Sequence, residues 1–256
     1  MTQALLSPPL TPAAQAVAML QRQGYAVLGH ADVCAIAGCA PDAPGALNAS
    51  WDRLPPDAYL KDGGHYRRRR HSCFIVDGAG VTQAPHRAHW QPLEYNALHG
   101  GMHRWFEPIE PQIVAQPAWA QLLGGFGRLF TELRAQRAGD GGRGKQPWYV
   151  EAHQFRIDTT DGIGRPTPEG AHRDGVDYVA VFLVARTGVK GGETRVFEAD
   201  GPHGERFTLT EPWSVLLLDD ARVIHESTPI QPLQAQGSRD TLVLTWRSDG
   251  FMEEQV

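Results

Sequence analysis

The second half of the chain consists of short apolar runs that are separated by turn residues. From Trp148 onward, clusters of Gly, Pro and Asp divide the sequence into seven candidate strands: AHQFRI, DYVAVFLVA, ETRVF, ERFTLT, WSVLLLDD, RVIHEST and DTLVLTWR. Short strands at this spacing, with turn signals between them, are typical of an all-β sandwich or barrel. The pattern therefore predicts a mainly β core in this half of the chain.

Helices are expected in the N-terminal half, packed outside this core. In TPAAQAVAMLQRQGYAVL, Thr11 is the predicted N-cap, Pro12 the first helical residue and Gly24 the stop, and YAVL follows as a short strand. HADVCAIAG is a second short helix that ends before Gly38. The stretch PAWAQLLGGFGRLFTELRAQRAG has apolar residues at steps of three and four, which predicts a long amphipathic helix.

The chain of 256 residues is long enough for one large domain or two small ones. The connector GDGGRGK at 139–145 is too short to indicate two independent domains. We therefore expect a single domain over 1–256, with a helix and strand extension at 1–50, mixed helical support at 51–145 and the β core at 146–250. The N-terminal extension is expected to pack on the core or to form a subunit contact in a homodimer.

Charge and cysteine content limit the classes of partner. The net charge of −5 argues against a general binder of nucleic acid or of anionic membranes. Cys34, Cys39 and Cys73 lack C-x-x-C spacing, so neither a disulfide framework nor a zinc knuckle is indicated, and reduced thiols suit the cytoplasm. The N-terminus has no basic segment before an apolar core, and no run of 18 apolar residues occurs, so we expect no signal peptide and no membrane span.

A polar H-R-D stands at the entrance of the most apolar strand, within EGAHRDGVDYVAVFLVAR at 169–186. In an extended segment, residues i and i+2 point to the same side, so His172 and Asp174 can face one ion while Arg173 points away. One imidazole and one carboxylate at this spacing are a weak signal, because such a pair is more often part of a solvated loop.

His225, in LLLDDARVIHESTP, strengthens this signal. It follows a strand and a turn, at the place where the facing wall of a small barrel would return. Two His and one carboxylate on one face of a metal leave three coordination positions open, which is the facial triad of non-haem Fe(II) oxygenases. Zinc hydrolases also use His and carboxylate ligands, so His172, Asp174 and His225 alone do not identify the metal.

The last strand carries a candidate site for an anion. RDTLVLTWR places Arg239 and Thr241 on one face, where the Arg fork suits a carboxylate and the Thr hydroxyl adds a donor. A dicarboxylic keto acid such as 2-oxoglutarate would chelate the iron at one end and place its distal carboxylate against this pair. The alternative is a surface ion pair between Arg239 and Asp240.

These stretches resemble the bacterial Fe(II)/2-oxoglutarate-dependent dioxygenases that include L-isoleucine 4-hydroxylase. The similarity lies in TPEGAHRDGVDYVAVFLVARTGVKGGETRVF, LLDDARVIHESTPI and RDTLVLTW. YRRRRHSCFIV, QPLEYNALHGGMHRWFEPI and AHQFRI look like further blocks of the same family. The resemblance covers most of 51–247 in patches and is weakest over the N-terminal extension.

The resemblance implies a double-stranded β-helix, a cupin-like jelly roll, with flanking N-terminal helices. It carries the iron ligands onto His172, Asp174 and His225, and the distal 2-oxoglutarate contact onto Arg239 with Thr241 beside it. Fe(II), 2-oxoglutarate and O2 are the implied cofactor and co-substrates, with ascorbate as a reductant. The implied reaction is hydroxylation of a free aliphatic L-amino acid or sulfoxidation of methionine.

Three further polar residues are candidates for contacts with such a substrate. Asn96 and Arg104, in EYNALHGGMHRWF, offer a hydrogen-bonding partner and an anion partner, and stabilisation of a loop explains them equally well. Asp177 is a candidate acceptor for a substrate ammonium, but a residue in this position more often caps a turn. His99 and His103 are four apart, and the two glycines between them argue against a helix on which they would share a metal.

Three other motifs have structural interpretations. RRRR at 67–70 is expected to direct two arginines inward, towards a substrate anion or acidic side chains, and two outward; a nucleic-acid patch is the less favoured interpretation. GGE at 191–193 is expected to form a tight turn. Asp219 and Asp220 are expected to end the preceding strand, with one of them available to orient His225 by accepting its ring proton.

Three alternative functions fit the same residues. The first is the same oxygenase chemistry on a peptide or on a secondary-metabolite precursor. The second is a sensor that binds iron or 2-oxoglutarate without turnover. The third is a zinc hydrolase, which iron-dependent activity that zinc inhibits would exclude.

Overall fold

The computed structural model describes residues 5–137, 146–233 and 235–254. The strands within these ranges are β1 (Tyr25–Leu28), β2 (Arg67–Asp77), β3 (Gly80–Gln83), β4 (Trp148–Asp158), β5 (Tyr178–Thr187), β6 (Val189–Gly191), β7 (Thr194–Glu198), β8 (Gly204–Phe207), β9 (Val215–Asp219), β10 (Val223–Ser227), β11 (Ile230–Pro232) and β12 (Ser238–Arg247). The α-helices are α1 (Ala16–Gln23), α2 (His30–Ala37), α3 (Pro111–Val114) and α4 (Pro117–Gln136), and 3-10 segments lie at Ala13–Gln15 and Ala43–Arg53.

The strands form one large sheet and two small ones. The main sheet has seven strands in the order β1, β9, β5, β12, β4, β2, β3, and the smaller sheets have the orders β10, β7, β8 and β11, β6. All of the strand pairs are antiparallel. Side chains of the main sheet and of the β10–β7–β8 sheet line the same cavity. This sheet-rich arrangement is the double-stranded β-helix, so the prediction of a mainly β jelly roll with flanking helices is confirmed.

The main sheet has one face towards the helices and one towards the cavity. On β12, Arg239, Thr241 and Val243 line the cavity. Leu242 and Leu244, which alternate with these residues along the strand, are fully buried in the helix-facing core. Successive side chains of a strand point to opposite faces, so the polar–apolar alternation of RDTLVLTW assigns each face of the sheet to its side of the molecule.

Helix α4 covers the helix-facing side of the sheet. Its Phe126 ring packs edge-on against Phe182, with 5.2 Å between centroids, and Phe130 stacks on Tyr178 at 4.6 Å. Phe126 and Phe130 are fully buried, and the burial of each side chain stabilises the fold by about 1.5–3 kcal/mol. Gly125 allows α2 to approach, since a Cβ at this position would lie 2.5 Å from the carbonyl oxygen of Ile36.

The predicted helices form close to their expected boundaries. Gly24 and Gly38 follow α1 and α2 with φ angles of 82° and 70°, the left-handed conformation that glycine adopts without strain. The expected N-cap is wrong: the backbone N–H of Ala13 donates to Oδ1 of Asp32, 2.8 Å away, and not to Thr11. A side chain from α2 thus supplies the cap, which local spacing did not indicate.

All seven predicted strands are present, but the β core is larger than expected. β1 pairs with β9, and β2 pairs along most of its length with β4, so the main sheet draws strands from all three predicted segments. The boundaries at 50 and 145 therefore do not separate structural layers. The expected connector at 139–145 lies outside the described residues.

Candidate metal centre and substrate cavity

A cavity opens between the main sheet and the β10–β7–β8 sheet. Its wall combines apolar side chains with an unusual number of charged ones. The apolar part includes Val176, Val181, Leu216 and Val243. The charged and imidazole groups in its wall are Arg67, Arg69, His89, Arg104, Glu151, His153, Glu169, His172, Asp174, His225 and Arg239.

The structure brings together the three residues that the sequence nominated as metal ligands. His172 and His225 face each other across an isolated antiparallel bridge, in which each backbone N–H donates to the other's carbonyl at 3.0 Å. The Asp174 carboxylate lies 3.8 Å from Nε2 of both rings. Ligand atoms of the three side chains lie within 4.8 Å of one another, so they can hold one metal ion.

The surroundings of the His172 and His225 rings leave ring nitrogens available for a metal. His172 Nδ1 lies 2.9 Å from the Gly170 carbonyl oxygen, which can only accept, so Nδ1 carries the proton and Nε2 presents a lone pair. His225 Nδ1 is buried without a hydrogen bond among the described residues. Burial, followed by the nearby His172, holds the pKa of His225 well below its usual range, so its ring is neutral at physiological pH.

Asp220 organises the loop that carries Asp174. Its carboxylate accepts the backbone N–H groups of Asp174, Gly175 and Val176 at 2.9, 2.7 and 3.1 Å. The expectation that Asp219 or Asp220 orients His225 is therefore wrong, since Asp220 holds the neighbouring loop and Asp219 pairs with Arg137. Gly175 has a φ of 77°, and a Cβ there would lie 2.4 Å from the Tyr95 ring.

A second group of potential metal ligands lies in the same cavity region. It consists of His71, His89, Glu151 and His153, all of them buried, with ligand atoms again within 4.8 Å of one another. Glu151 Oε2 accepts from His71 Nε2 at 2.9 Å and from His89 Nδ1 at 2.7 Å. We refer to these four residues as the Glu151 cluster. The sequence reasoning missed it because its members come from three separate segments.

Each histidine of the Glu151 cluster already has one ring nitrogen in a hydrogen bond with a charged side chain. Arg69 Nη2 lies 2.7 Å from His153 Nδ1, and because arginine only donates, His153 must accept there and carry its proton on Nε2. Burial lowers the pKa of His89 to about 3, so this ring is neutral. Burial opposes ionisation of Glu151, but the His89 and His71 rings that point N–H groups at it hold its pKa well below its usual range.

Arg239 lies on the cavity side of β12, on the same face as Thr241, two residues further along the strand. This is the arrangement that the sequence predicts. Arg239 is only 3% exposed, and its guanidinium makes no hydrogen bond or ion pair with any described residue. Burial, followed by the neighbouring Arg186 cation, lowers its pKa to about 10, which leaves it charged at neutral pH. Asp240 points the other way and pairs with Arg156 at 2.7 Å, so the alternative pairing of Arg239 with Asp240 is not observed.

The three candidate substrate contacts have different positions. Arg104 lines the cavity and donates from Nη2 to Gln91 Oε1 at 3.0 Å. Asn96 is buried behind the wall, where its amide donates to the same Gln91 oxygen and its Oδ1 accepts from the His99 backbone. Asp177 lies away from the cavity wall and accepts from the backbone and hydroxyl of Ser248 at 2.7 and 3.1 Å. Only Arg104 is brought to the cavity.

The arginine run on β2 alternates as predicted. Arg67 and Arg69 are buried and line the cavity, whereas Arg68 points outward to Asp158. Arg67 Nε donates to Asp57 at 2.7 Å, and the Arg69 guanidinium lies 3.8 Å from the centroid of the Phe106 ring. The GGE turn is also confirmed, since both of its glycines have positive φ angles, of 78° and 65°.

The sequence profile described as 2OG-Fe dioxygenase matches residues 48–245. The chain belongs to the 2OG-Fe dioxygenase family. It is therefore an oxidoreductase that uses Fe(II), 2-oxoglutarate and O2, as expected from its sequence. No curated protein matches the chain. No helix among the described residues is long and apolar enough to cross a membrane.

Solved structures of similar proteins share the fold of this chain. A BsmA homologue from Methylobium petroleophilum PM1 is 53% identical, with 97% of this chain and 98% of that chain covered and a TM-score of 0.88. IDO from Bacillus thuringiensis is 17% identical, with 93% and 99% covered and a TM-score of 0.71. The Fe(II)/α-ketoglutarate-dependent dioxygenase TqaL is 17% identical, with 92% and 86% covered and a TM-score of 0.66. At 17% identity, the last two of these structures show only that the fold is shared.

Proposed function

We propose that this dioxygenase oxidises a free L-amino acid with an aliphatic or thioether side chain, by hydroxylation or sulfoxidation. In this proposal His172, Asp174 and His225 hold the iron, and Arg239 with Thr241 binds the distal carboxylate of 2-oxoglutarate. One observation carries the iron and 2-oxoglutarate part of this proposal. Three convergent metal-ligand side chains share a cavity with a buried arginine that has no partner among the described residues.

The donor set at the His172 end fits Fe(II). Two imidazoles and one carboxylate leave the open positions that a chelating co-substrate and O2 need, and bound iron supplies the activation of O2 there. The Gly170 carbonyl orients the His172 ring, and Asp220 fixes the backbone on either side of the Asp174 carboxylate. Such supporting hydrogen bonds set ligand orientation before the metal binds.

Arg239 fits the distal carboxylate of 2-oxoglutarate. A buried guanidinium without a counter-ion is unfavourable, and an incoming carboxylate would supply one in bidentate geometry. The hydroxyl-bearing residues Thr194, Ser227 and Thr241 line the same cavity and offer further donors. Thr194 and Ser227 were not predicted from the sequence. Ser227 lies two residues after His225 on β10, and Thr194 lies opposite Ser227 on the neighbouring strand β7.

The substrate class rests on the cavity wall and on the family resemblance. Val176, Val181, Leu216 and Val243 provide an apolar surface for an aliphatic or thioether side chain. Arg104 provides a buried cation for a carboxylate. The motifs around His172 and His225 resemble those of the bacterial amino-acid hydroxylases that include L-isoleucine 4-hydroxylase, which supports the same class.

The test is succinate formation with Fe(II), ascorbate and 2-oxoglutarate across the twenty amino acids. We expect substrate-stimulated succinate, in equal amount to an oxidised amino acid, with one or more aliphatic or thioether members of the panel. Arg239→Met should raise the KM for 2-oxoglutarate by at least about 30-fold, because it removes a buried charge partner. Arg247→Met, at the outer end of β12, is the matched control and should leave this KM unchanged.

The other functions give different results in the same assay. Tight binding of 2-oxoglutarate without stimulated succinate from any amino acid or peptide would favour a sensor. Stimulation by a peptide alone would keep the oxygenase and replace the substrate class. Hydrolytic activity that depends on zinc would contradict the proposal.

A further inference from the structure

Arg104 is a buried cation whose counter-ion is missing among the described residues. It is 2% exposed and lines the cavity, and the one hydrogen bond of its guanidinium with a described residue runs from Nη2 to the neutral amide oxygen of Gln91. Its Nε is buried without a partner. Burial, followed by the Arg67 cation, lowers its pKa to about 10, which still leaves it charged at neutral pH. A guanidinium in this state favours binding of an anion from the cavity.

The neighbouring arginines are already committed to other partners. Arg67 pairs with Asp57 at 2.7 Å, and Arg69 lies 3.9 Å from the same carboxylate. Arg69 also donates to His153 and lies over the rings of Phe106 and Phe155. Arg104 is therefore the cation of this group that is best placed to receive a ligand carboxylate.

Glu151 presents the opposite charge to the same cavity. Its Oε2 is held by two imidazole N–H groups, at 2.9 and 2.7 Å, which fix the carboxylate in place. Its Oε1 makes no hydrogen bond with any described residue, and Glu151 is part of the cavity wall. A fixed, ionised carboxylate oxygen that faces a cavity is an acceptor for an ammonium group.

Hydrogen bonds hold each of the two charged groups. His89 donates from Nδ1 to Glu151, so the Nε2 of this neutral ring carries no proton to donate to Gln91 Oε1, 3.3 Å away. Gln91 Oε1 accepts from Arg104, and Gln91 Nε2 lies 3.5 Å from the backbone oxygen of Asp174. Arg104 is thus tied through Gln91 to the loop of a predicted iron ligand, and Glu151 is held separately by His71 and His89.

We infer that Arg104 and Glu151 bind the two charged groups of a zwitterionic α-amino acid, Arg104 its carboxylate and Glu151 its ammonium. This inference rests on the proposed function and adds the residues that select a free amino acid. A substrate bound in this way must keep both its amino and its carboxyl group free. Internal residues of peptides, which have neither, are therefore excluded.

The first test changes the ligand and leaves the protein intact. The holoenzyme with Fe(II) and 2-oxoglutarate is assayed with L-isoleucine, 3-methylpentanoate and 2-methylbutylamine, and with L-methionine, 4-(methylthio)butanoate and 3-(methylthio)propylamine. Removal of either charged group should raise the KM at least tenfold. If an amino acid is turned over and its deaminated or decarboxylated analogue has the same KM, the inference is wrong and the proposed function stands. No turnover of any amino acid overturns both.

The second test combines these ligands with variants. Glu151→Gln should lose most of the preference for L-isoleucine over 3-methylpentanoate, and Arg104→Gln most of the preference over 2-methylbutylamine. A purely structural role would weaken all three ligands by the same factor, and that result would refute the inference. The KM for 2-oxoglutarate should not change in either variant. The matched controls are Glu107→Gln, at an exposed residue, and Arg68→Gln, at a partly exposed residue whose side chain points outward to Asp158.

Metal content provides a separate check on the Glu151 cluster. We expect one iron per chain in the wild type and in Glu151→Gln. Two ions per wild-type chain, with one of them lost in Glu151→Gln, would identify the cluster as a metal site and overturn its assignment to the substrate.

Discussion

Both ends of the cavity place histidines next to a carboxylate, yet they are prepared for different ligands. At the His172 site, Nδ1 of His172 donates to the Gly170 carbonyl, which leaves Nε2 of this ring, 3.8 Å from the Asp174 carboxylate, with a lone pair. In the Glu151 cluster, His71 and His89 donate to the carboxylate and His153 accepts from Arg69. Residue type does not distinguish these two groups; the partner of each ring nitrogen does.

The charged residues around the two groups also differ: they are acidic around His172 and basic around His153. Asp174, Glu169 and Asp220 surround His172 and favour a cation there. Arg69 and Arg104 lie near His153 and oppose one. A divalent metal is therefore favoured at the His172 end, and a zwitterion, which brings its own negative group, is favoured near the Glu151 cluster.

The largest expected difference is in iron binding. Asp174→Ala should weaken Fe(II) binding by well over 100-fold and abolish stimulated succinate formation, since even supporting residues of metal sites contribute about 10–100-fold. His153→Gln should retain its iron, because the amide oxygen can still accept from Arg69. Iron content after anaerobic reconstitution measures both. Equal loss of iron in the two variants would remove the distinction between the ends of the cavity.

Much of the His172 end was predictable from the sequence, for a local reason. His172 and Asp174 are i and i+2 in the segment just before the apolar strand β5, and Arg239 and Thr241 are i and i+2 on β12. The second pair depends only on the period of a strand, whereas the first lies in a loop whose backbone Asp220 holds. That His225 bonds to His172 across an isolated bridge is a long-range fact. The strand and turn before His225 indicated a returning barrel wall, but not this backbone pairing.

The Glu151 cluster was missed because strand pairing assembles it. β2 and β4 pair with His71 opposite His153, and the loop residue His89 completes the group. The strand WYVEAHQFRID did contain a signal, because Glu151 and His153 interrupt one apolar face at i and i+2. Likewise, RRRR predicted two inward arginines but not that their strand belongs to the main sheet.

A second expected difference concerns the stability of the arginine-rich end. Asp57→Asn should lower the free energy of unfolding by about 3 kcal/mol at neutral pH, because it leaves Arg67 buried without its carboxylate. Asp158→Asn, which removes an outward partner of Arg68, should cost no more than about 1 kcal/mol. Urea unfolding of both variants measures this contrast, and equal effects would contradict the buried pair.

The same pair predicts a pH dependence. Burial opposes ionisation of Asp57, but the Arg67 and Arg69 cations lower its pKa below the ordinary value of 3.8 on balance. Its contribution to stability is therefore fully present above pH 3.8 and is lost as the pH falls towards the lower folded value. The difference between wild type and Asp57→Asn should shrink below this pH, and a constant difference would contradict the assignment.

The smallest expected effect concerns Asp220, which supports the loop of the predicted metal ligand Asp174. Asp220→Ala removes the acceptor for three consecutive N–H groups and should weaken Fe(II) binding by about 10–100-fold without abolishing it. The exposed Asp200→Ala is the control. Anaerobic Fe(II) titration measures both, and an unchanged affinity in Asp220→Ala would show that the loop holds its shape without this carboxylate.

The position of the iron tests the central claim most directly. Crystals grown without O2 in the presence of Fe(II) and 2-oxoglutarate would be measured on both sides of the iron absorption edge. We predict one anomalous peak per chain, between His172, Asp174 and His225, with the distal carboxylate of 2-oxoglutarate against Arg239. A peak between His71, His89, Glu151 and His153, with none at Asp174, would contradict the account.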